Sequence, residues 1–197
     1  MLSTSSAAVA FTPGGKTFMK TLPGQVAPLG FFDPLNLSPE SVEDAKLFRE
    51  AELTHGRVAM MAAAGFLVQE SFHPIFPDIN GPAINQLGQC NLATGIGLLT
   101  PIFMSEMLRA RKGWVEPNFS GYESQARTIR RLRDDYRPGD LGLDLTRNKP
   151  KGEWANAATG PWADWQNKEL NNGRLAMIAC AGFVAQELNT GTGIFGA

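Results

Sequence analysis

The chain has 197 residues, of which 43% are hydrophobic, and a formal net charge of −1. This length suits one domain, the apolar content argues against a disordered chain, and the balanced charge argues against a nucleic-acid-binding protein. The two cysteines, Cys90 and Cys180, are too few for a disulfide or metal framework and are predicted to be small buried residues.

The first 32 residues differ in composition from the rest. They contain no acidic residue, seven Ser or Thr and two Lys. This composition is typical of an organelle targeting segment, and a plain N-terminal tail is the alternative. Residues 33–197 are predicted to form a single domain.

Helical periodicity indicates a first long helix over about 38–72. Ser38 is the predicted N-cap, since it stands directly before Pro39, and the helix is expected to end near Phe72 because Pro74 and Pro77 follow. A loop containing Pro and Gly is predicted to lead to about Cys90.

Two further helices are predicted over about 91–111 and 161–189. Pro101 should kink the middle helix mildly, and Pro161 should open the last one. No strand-like alternation competes with these patterns, so the predicted fold class is all-α.

The first and third helices contain the same segment. Residues 52–70 read ELTHGRVAMMAAAGFLVQE and residues 169–187 read ELNNGRLAMIACAGFVAQE, with twelve of nineteen positions identical and no gap. Such a repeat predicts one element used twice and related by a pseudo-twofold axis. PGDLGLD before the third helix weakly echoes LGFFDP before the first, so the repeat is predicted to include the preceding turn.

The eighteen basic residues are unevenly distributed. Residues 71–108 contain none, no basic residue follows Arg174, and eleven lie between Arg109 and Lys151. Three apolar spans would place every basic loop on one side, which is the positive-inside asymmetry of an integral membrane protein. We therefore expect three transmembrane helices, with the chain ends on opposite sides.

Each repeat contains an arginine without a carboxylate at helical spacing. An unpaired Arg57 or Arg174 in hydrocarbon would cost roughly 3 kcal/mol or more. The repeat supplies reciprocal partners, so Glu52 is predicted to pair with Arg174 and Glu169 with Arg57. Replacing Arg174 with Leu is then expected to prevent stable assembly.

Two glycines should allow the helices to approach at this point. Gly56 and Gly173 lie about one turn after the two glutamates, where they would permit close contact between backbones. Arg49, three residues before Glu52, is a rival partner for that carboxylate. An electrostatic lock between two helices is the purely structural alternative.

The two repeats also share polar positions that an electrostatic lock between helices does not require. They offer ring nitrogen or amide oxygen lone pairs to a cation. Because Glu52 and Gln69 would lie about 25 Å apart along one helix, the ligands do not form one metal cage. Separate single ligands predict cations that arrive already coordinated, such as magnesium in a planar macrocycle. The repeated residues are His55, Asn172, Gln69 and Gln186.

Glu106 is the one acidic residue within the middle span. Arg109 follows at i+3 and can neutralise it locally, so Glu106 fits the same pattern of a neutralised ligand. An ion pair at the membrane interface is the alternative interpretation.

The paired motifs ExxHGRxAM and ExxNGRxAM resemble those of the light-harvesting antenna proteins that bind chlorophyll a with chlorophyll b or c. The resemblance covers about residues 29–190. It implies crossed first and third membrane helices, a peripheral second helix, and two carotenoids beside the crossing. It places Arg57 and Arg174 in reciprocal ion pairs. The implied chlorophyll magnesium ligands are Glu52, His55, Glu106, Glu169, Asn172 and Gln186.

The chain departs from green-plant relatives in several places. Where they often carry a glutamine eight residues before the middle-helix glutamate, this chain has Leu98. Gln69 could ligate an additional pigment or be a hydrogen-bonded amide at a helix end. The short tail, Gln69 and the VQESFHP segment are most similar to the red-lineage algal branch, whose members bind fucoxanthin or other xanthophylls with chlorophylls a and c.

The resemblance implies a thylakoid antenna that binds chlorophyll a, chlorophyll c and xanthophylls. Its N-terminus would be stromal and its C-terminus lumenal. A photosystem core (I or II), neighbouring antenna subunits and thylakoid lipids would be its partners, with no nucleic acid. The residues contain no nucleophile–base pair, phosphate loop or open metal site that would predict an enzyme.

Two alternatives remain open. A photoprotective member of the family would share every ligand and use protonatable residues on the lumenal face, where Asp78, Glu70 and Glu187 are too few to favour this alternative. A transporter with inverted repeats would need its polar groups to converge on one cavity.

Overall fold

A computed structural model describes residues 14–72, 79, 81–115, 131–142 and 161–195. Over these residues the chain is helical, apart from turns and the isolated bridges Val26–Gly30 and Trp114–Leu132. The all-α prediction is confirmed for this part of the chain. The helices are α1 (Gly15–Thr21), α2 (Val42–Ser71), α3 (Ala83–Gln89), α4 (Leu92–Gly113) and α5 (Pro161–Thr190).

The predicted start of the first long helix at Ser38 was wrong. Helix α2 begins at Val42, and Ser41 is its N-cap, because the Ser41 hydroxyl accepts a hydrogen bond from the Asp44 amide (3.0 Å). The Ser38 hydroxyl instead donates to Asp33 (2.5 Å) in the preceding turn. Hydrogen bonds from this side chain and from the backbone hold the pKa of Asp33 below its ordinary value. Because Asp33 accepts hydrogen bonds from both the amide and the hydroxyl of Ser38, Ser41 is the residue left to cap the helix.

The other long helices lie near their predicted positions. Asn91 caps α4 by accepting a hydrogen bond from the Thr94 amide (2.8 Å), and α4 continues to Gly113. Helix α5 ends at Thr190, where Gly191 adopts a positive φ of 69°. At ~1.5 Å per residue, α2 and α5 are each about 45 Å long.

Two short helices were not predicted. Helix α1 lies in the segment assigned to a targeting region or tail, packs against α2, and begins with a hydrogen bond from the Gly15 amide to the Glu40 carbonyl (2.6 Å). Helix α3 lies in the predicted loop and contacts α2 and α5. Seven residues are too few for a clear helical period. Residues 1–13 of the proposed targeting segment lie outside the described residues.

The contact between α2 and α5 follows the sequence repeat. Along one line, a residue of α2 meets the α5 residue that lies 117 positions later in the chain. A twofold axis produces such self-equivalent pairs for residues on the axis and reciprocal pairs for residues beside it. Because the pairs occur in the same order on both helices, α2 and α5 run in the same direction. The pairs are Gly56 with Gly173, Phe66 with Phe183, and Glu70 with Glu187.

The long helices present large apolar side chains on their surfaces. Residues 96–108 of α4 are all exposed. The repeat-equivalent residues Met61 of α2 and Ile178 of α5 are 70% and 72% exposed. Taken singly, none of the described helices meets the length and apolar content required to cross a membrane, whereas α3 and α4, bent by 115°, meet them as a pair.

Candidate functional site

The structure brings together the two reciprocal ion pairs that the repeat predicts. Arg57 Nε donates to Glu169 Oε1 at 2.7 Å. Arg174 donates to Glu52 Oε1 through Nε (2.8 Å) and Nη2 (2.7 Å). Each pair joins α2 to α5, so a carboxylate from one repeat is neutralised by an arginine from the other.

The two glycines predicted to permit this approach lie at the helix contact. A Cβ atom built on Gly56 would lie 3.1 Å from the Gly173 Cα atom, and one built on Gly173 would lie 2.9 Å from the Gly56 Cα atom. The backbones therefore touch directly, which holds the four ion-paired side chains within reach of each other.

The carboxylates of Glu52 and Glu169 differ in the number of hydrogen bonds that they accept. Arg49 Nη1 also donates to Glu52 Oε2 (2.9 Å), so the rival partner and the reciprocal partner both bind Glu52. Three N–H groups then occupy a carboxylate with about four lone-pair sites, and one site remains for a ligand. Among the described residues, Glu169 accepts only from Arg57, so its Oε2 keeps its lone pairs.

His55 is exposed and its ring orientation is fixed. Its Nδ1 lies 2.7 Å from the Ala51 carbonyl oxygen. Because a carbonyl oxygen only accepts, Nδ1 must carry the hydrogen, and the Nε2 lone pair is left to bind a metal. A backbone hydrogen bond that selects the tautomer in this way is the usual support of a metal-binding histidine.

The amide candidates lie apart from one another. Asn172, the repeat equivalent of His55, is exposed on α5. Gln186 is exposed near the end of α5 and donates through Nε2 to the Ile194 carbonyl (3.4 Å), which leaves its own Oε1 as an acceptor. Gln69 is half-buried at the equivalent position of α2. Within the described ranges, no three His, Cys, Asp or Glu side chains are placed to share one metal ion.

On α4, Glu106 is paired as its spacing predicts. Its Oε2 lies 2.8 Å from Arg109 Nη2, and about half of the side chain (49%) is exposed. Arg109 Nη1 reaches across to α2, where it donates to the Thr54 hydroxyl (2.6 Å) and lies 3.5 Å from Glu50 Oε1. Leu98, about two helical turns before Glu106, is 48% exposed.

Glu50 is a site residue that the sequence analysis missed. It is only 3% exposed, and its Oε2 accepts from the Tyr136 hydroxyl (3.1 Å) and from the Gly139 amide (2.6 Å). Burial and the Glu50 carboxylate raise the pKa of Tyr136, so this phenol remains a hydrogen-bond donor. Its position in the sequence could have identified it. Glu50 lies two residues before Glu52, and it is the repeat equivalent of Asn167, 117 residues later.

Clefts with apolar walls border these polar groups. One of about 1020 Å³ adjoins Glu52 and Arg174, and another of about 880 Å³ adjoins His55 and Arg109. A third, of about 360 Å³, adjoins the Arg57–Glu169 pair. Neutralised or neutral ligands beside apolar clefts suit large planar cofactors that need one axial ligand and van der Waals contact.

These features define a helical protein built to hold cofactors between and around packed helices. The chain belongs to the chlorophyll A-B binding protein family, whose sequence profile matches residues 18–188. The donor set fits chlorophyll, because each candidate offers magnesium a single oxygen or nitrogen ligand. Membership of this family gives no indication of catalysis.

Individual relatives cover most of the chain. It is 45% identical over 188 residues to light-harvesting complex stress-related protein 1 of Chlamydomonas reinhardtii, covering 90% of this chain and 68% of that protein. It is 43% identical over 175 residues to a fucoxanthin-chlorophyll a-c binding protein of Isochrysis galbana, covering 88% and 79%. Chlorophyll a-b binding protein 4 of Arabidopsis thaliana is 35% identical over 184 residues, covering 88% and 66%.

Proposed function

We propose that this protein is a light-harvesting antenna that transfers excitation energy to a photosystem. The observation that carries the proposal is the pair of carboxylates neutralised by arginines across the α2–α5 contact. Each keeps lone pairs for chlorophyll magnesium beside an apolar cleft. The protein would fix the distance and orientation of its pigments, and no bond chemistry is proposed.

The proposed location is the plastid thylakoid membrane. Helices α2, α4 and α5 would span it, with the N-terminus stromal and the C-terminus lumenal. The exposed apolar side chains of the three helices and the concentration of basic residues between Arg109 and Lys151 support this orientation. The stress-related and the fucoxanthin-chlorophyll a-c binding relatives both carry the description chloroplastic in their names, which supports the compartment.

The proposed pigments are chlorophyll a, chlorophyll c and xanthophylls. The fucoxanthin-chlorophyll a-c binding relative supports this choice. The clefts on the two sides of the α2–α5 contact would accept the carotenoids. A photosystem core, neighbouring antenna subunits and thylakoid lipids are the proposed partners. The proposed magnesium ligands are Glu52, His55, Glu106, Glu169, Asn172, Gln186 and Gln69.

Replacing His55 with Leu should remove one chlorophyll per chain. Leucine has no lone pair for magnesium, while the ion pairs that hold α2 to α5 remain intact. The chlorophyll-to-protein ratio after reconstitution, with pigments separated by chromatography, measures the loss. Lys168→Leu is the control, since Lys168 is 59% exposed on α5 and is not a proposed ligand. An unchanged ratio in His55→Leu, or an equal loss in the control, would contradict the assignment.

We also propose a second function, the dissipation of excitation energy under acid conditions. The observation that favours it is the contact between Glu70 and Glu187 at the ends of α2 and α5. Each has a buried Oε1 without a hydrogen-bond partner in the described chain, while Glu187 Oε2 accepts from the Ile84 amide (2.9 Å). The resemblance to a stress-related relative supports the same function. Asp78, the third candidate, lies outside the described residues.

A dissipative member should show a shorter chlorophyll fluorescence lifetime when the pH falls from about 7 to about 5. A proton shared between Glu70 and Glu187 would replace carboxylate repulsion with a hydrogen bond and draw the ends of α2 and α5 together. Glu187→Gln should abolish the response, and Glu43→Gln, at the exposed opposite end of α2, should retain it. A lifetime independent of pH in the unaltered protein would leave harvesting as the function.

A further inference from the structure

The internal repeat extends beyond the helices into two matching turns. Gly24 and Gly139 follow Pro23 and Pro138, and both adopt a positive φ, 106° and 82°. The Gly24 amide donates to Asn167 Oδ1 (2.5 Å), and the Gly139 amide donates to Glu50 Oε2 (2.6 Å).

The surroundings of the two turns are also equivalent. A Cβ atom on Gly24 would meet Leu170 and Arg174, and one on Gly139 would meet Leu53 and Arg57. The two acceptors, and the leucine and arginine named at each turn, are repeat equivalents 117 residues apart. A Cβ atom on Gly24 would additionally meet Arg49 (3.2 Å). The same turn therefore packs on each of the two long helices.

The symmetry breaks at the acceptor. Asn167 is neutral, whereas its equivalent Glu50 is a carboxylate that is 3% exposed. A buried carboxylate needs a cation as well as hydrogen bonds. Among the described residues, the cation within 4.0 Å of Glu50 is Arg109 of α4, and α4 has no repeat equivalent. The two turns thus differ in charge at Glu50, and Glu50 lies where α4, the helix without a repeat equivalent, contacts α2.

Helix α4 is attached at its basic end through Arg109 and also through the residues that follow it, where Trp114 bridges Leu132 and the Arg133 amide donates to the Gly113 carbonyl (2.9 Å). Its residues 96–108 are all exposed, so few side chains fix its position along that length. At the other end it follows α3, which contacts α2 and α5. Arg109 therefore joins α4 to Glu50 and Thr54 of α2 while it pairs with Glu106.

We propose that Glu50 is a positioning residue that docks α4 on one side of the α2–α5 pair and thereby builds the pigment site at Glu106. Glu50 holds the Arg109 guanidinium in place, and Arg109 neutralises Glu106. Loss of the Glu50 charge should therefore displace the cation that Glu106 needs. The pigment part of this inference rests on the function proposed above, whereas the docking part rests on the contacts alone.

Glu50→Gln tests the proposal in the full chain reconstituted with chlorophylls and carotenoids. Glutamine keeps an oxygen for Tyr136 and Gly139 and removes only the charge. We expect Glu50→Gln and Glu106→Leu each to lose one chlorophyll per chain, and the double variant to lose one as well, because both act on the same site. Asp164→Asn, which removes a carboxylate that is 64% exposed near the start of α5, should lose none. A full chlorophyll complement in Glu50→Gln, or losses that add in the double variant, would overturn the proposal.

Spin labels test the docking without reference to pigment. Labels at Phe103→Cys on α4 and Leu175→Cys on α5, with Cys90 and Cys180 changed to Ala, should give a broader distance distribution in Glu50→Gln than in its parent. An unchanged distribution would overturn the docking. If the unaltered chain binds no chlorophyll, the proposed function fails, and this distance alone decides the role of Glu50. If Glu50→Gln does not assemble, Arg109→Gln removes the other end of the same contact and should broaden the same distribution. An unchanged distribution there would overturn the proposal.

Discussion

Replacing Arg57 with Leu should prevent assembly of the pigment–protein complex more completely than replacing Arg174 with Leu. Arg57 is the cation that neutralises Glu169 among the described residues, so its loss leaves a carboxylate in apolar surroundings without a partner. Leaving the carboxylate unpaired lowers the stability of the complex by about 3 kcal/mol. We take the low end of the range for buried ion pairs because a third of each side chain is exposed. The assembled state would then be disfavoured about 100-fold.

Arg174→Leu should have the smaller effect because Glu52 keeps Arg49 at 2.9 Å. The variant also loses the hydrogen bond from Arg174 Nη1 to the Gly24 carbonyl (2.6 Å), which contributes about 1 kcal/mol. The two arginines are equivalent in the repeat, and the difference between them comes from a residue outside it.

A second substitution separates charge from packing. Arg57→Leu combined with Glu169→Gln removes the orphaned charge and keeps an amide oxygen as a magnesium ligand, so it should recover most of the chlorophyll that Arg57→Leu loses. The chlorophyll content and the denaturant midpoint of the reconstituted complex measure both effects. Equal losses in the two single arginine variants, or no recovery in the double variant, would contradict this account.

The α2–α5 contact could be predicted because the relevant signals lie in the repeat itself. An arginine without a carboxylate on its own helix needs an outside partner, and a repeat with a matched Glu offers one. The glycines at 56 and 173 indicated where the backbones meet. Local spacing likewise placed Arg109 beside Glu106. These inferences need only helical geometry and the cost of an unpaired charge.

The missed features depend on contacts with segments that have no periodic pattern. Glu50 looks like one more charge at the start of a helix, and only the fold of residues 131–142 buries it under Tyr136 and Gly139. Ser38 and Ser41 are both suitable N-cap residues for α2, so the sequence alone did not show which of them begins the helix. The hydrogen bonds of Ser38 to Asp33 decided it, and those depend on the conformation of the preceding turn.

Gly56→Ala and Gly173→Ala should destabilise the complex, whereas the same change at Gly65 and Gly182 should not. A methyl group at Gly56 or Gly173 would lie 3.1 or 2.9 Å from a Cα atom of the facing helix. Backbone cannot rotate away as a side chain can, so the helices must separate and stretch both ion pairs. Overpacking of this kind lowers stability by about 1–3 kcal/mol. The higher helix propensity of alanine offsets up to about 1 kcal/mol of this loss.

Gly65 and Gly182 are the matched controls because they are repeat equivalents on the same two helices with no atom within 4 Å of an added Cβ. Alanine there should be neutral or stabilising by up to about 1 kcal/mol. At roughly 2–4 °C per kcal/mol for a chain of this size, the two sets should differ in thermal midpoint by several degrees, as followed by visible circular dichroism. Because Gly56 and Gly173 face each other, their double variant should lose more than the sum of the two single losses. Equal midpoints for the two sets would mean that close approach of the backbones at Gly56 and Gly173 does not hold α2 against α5.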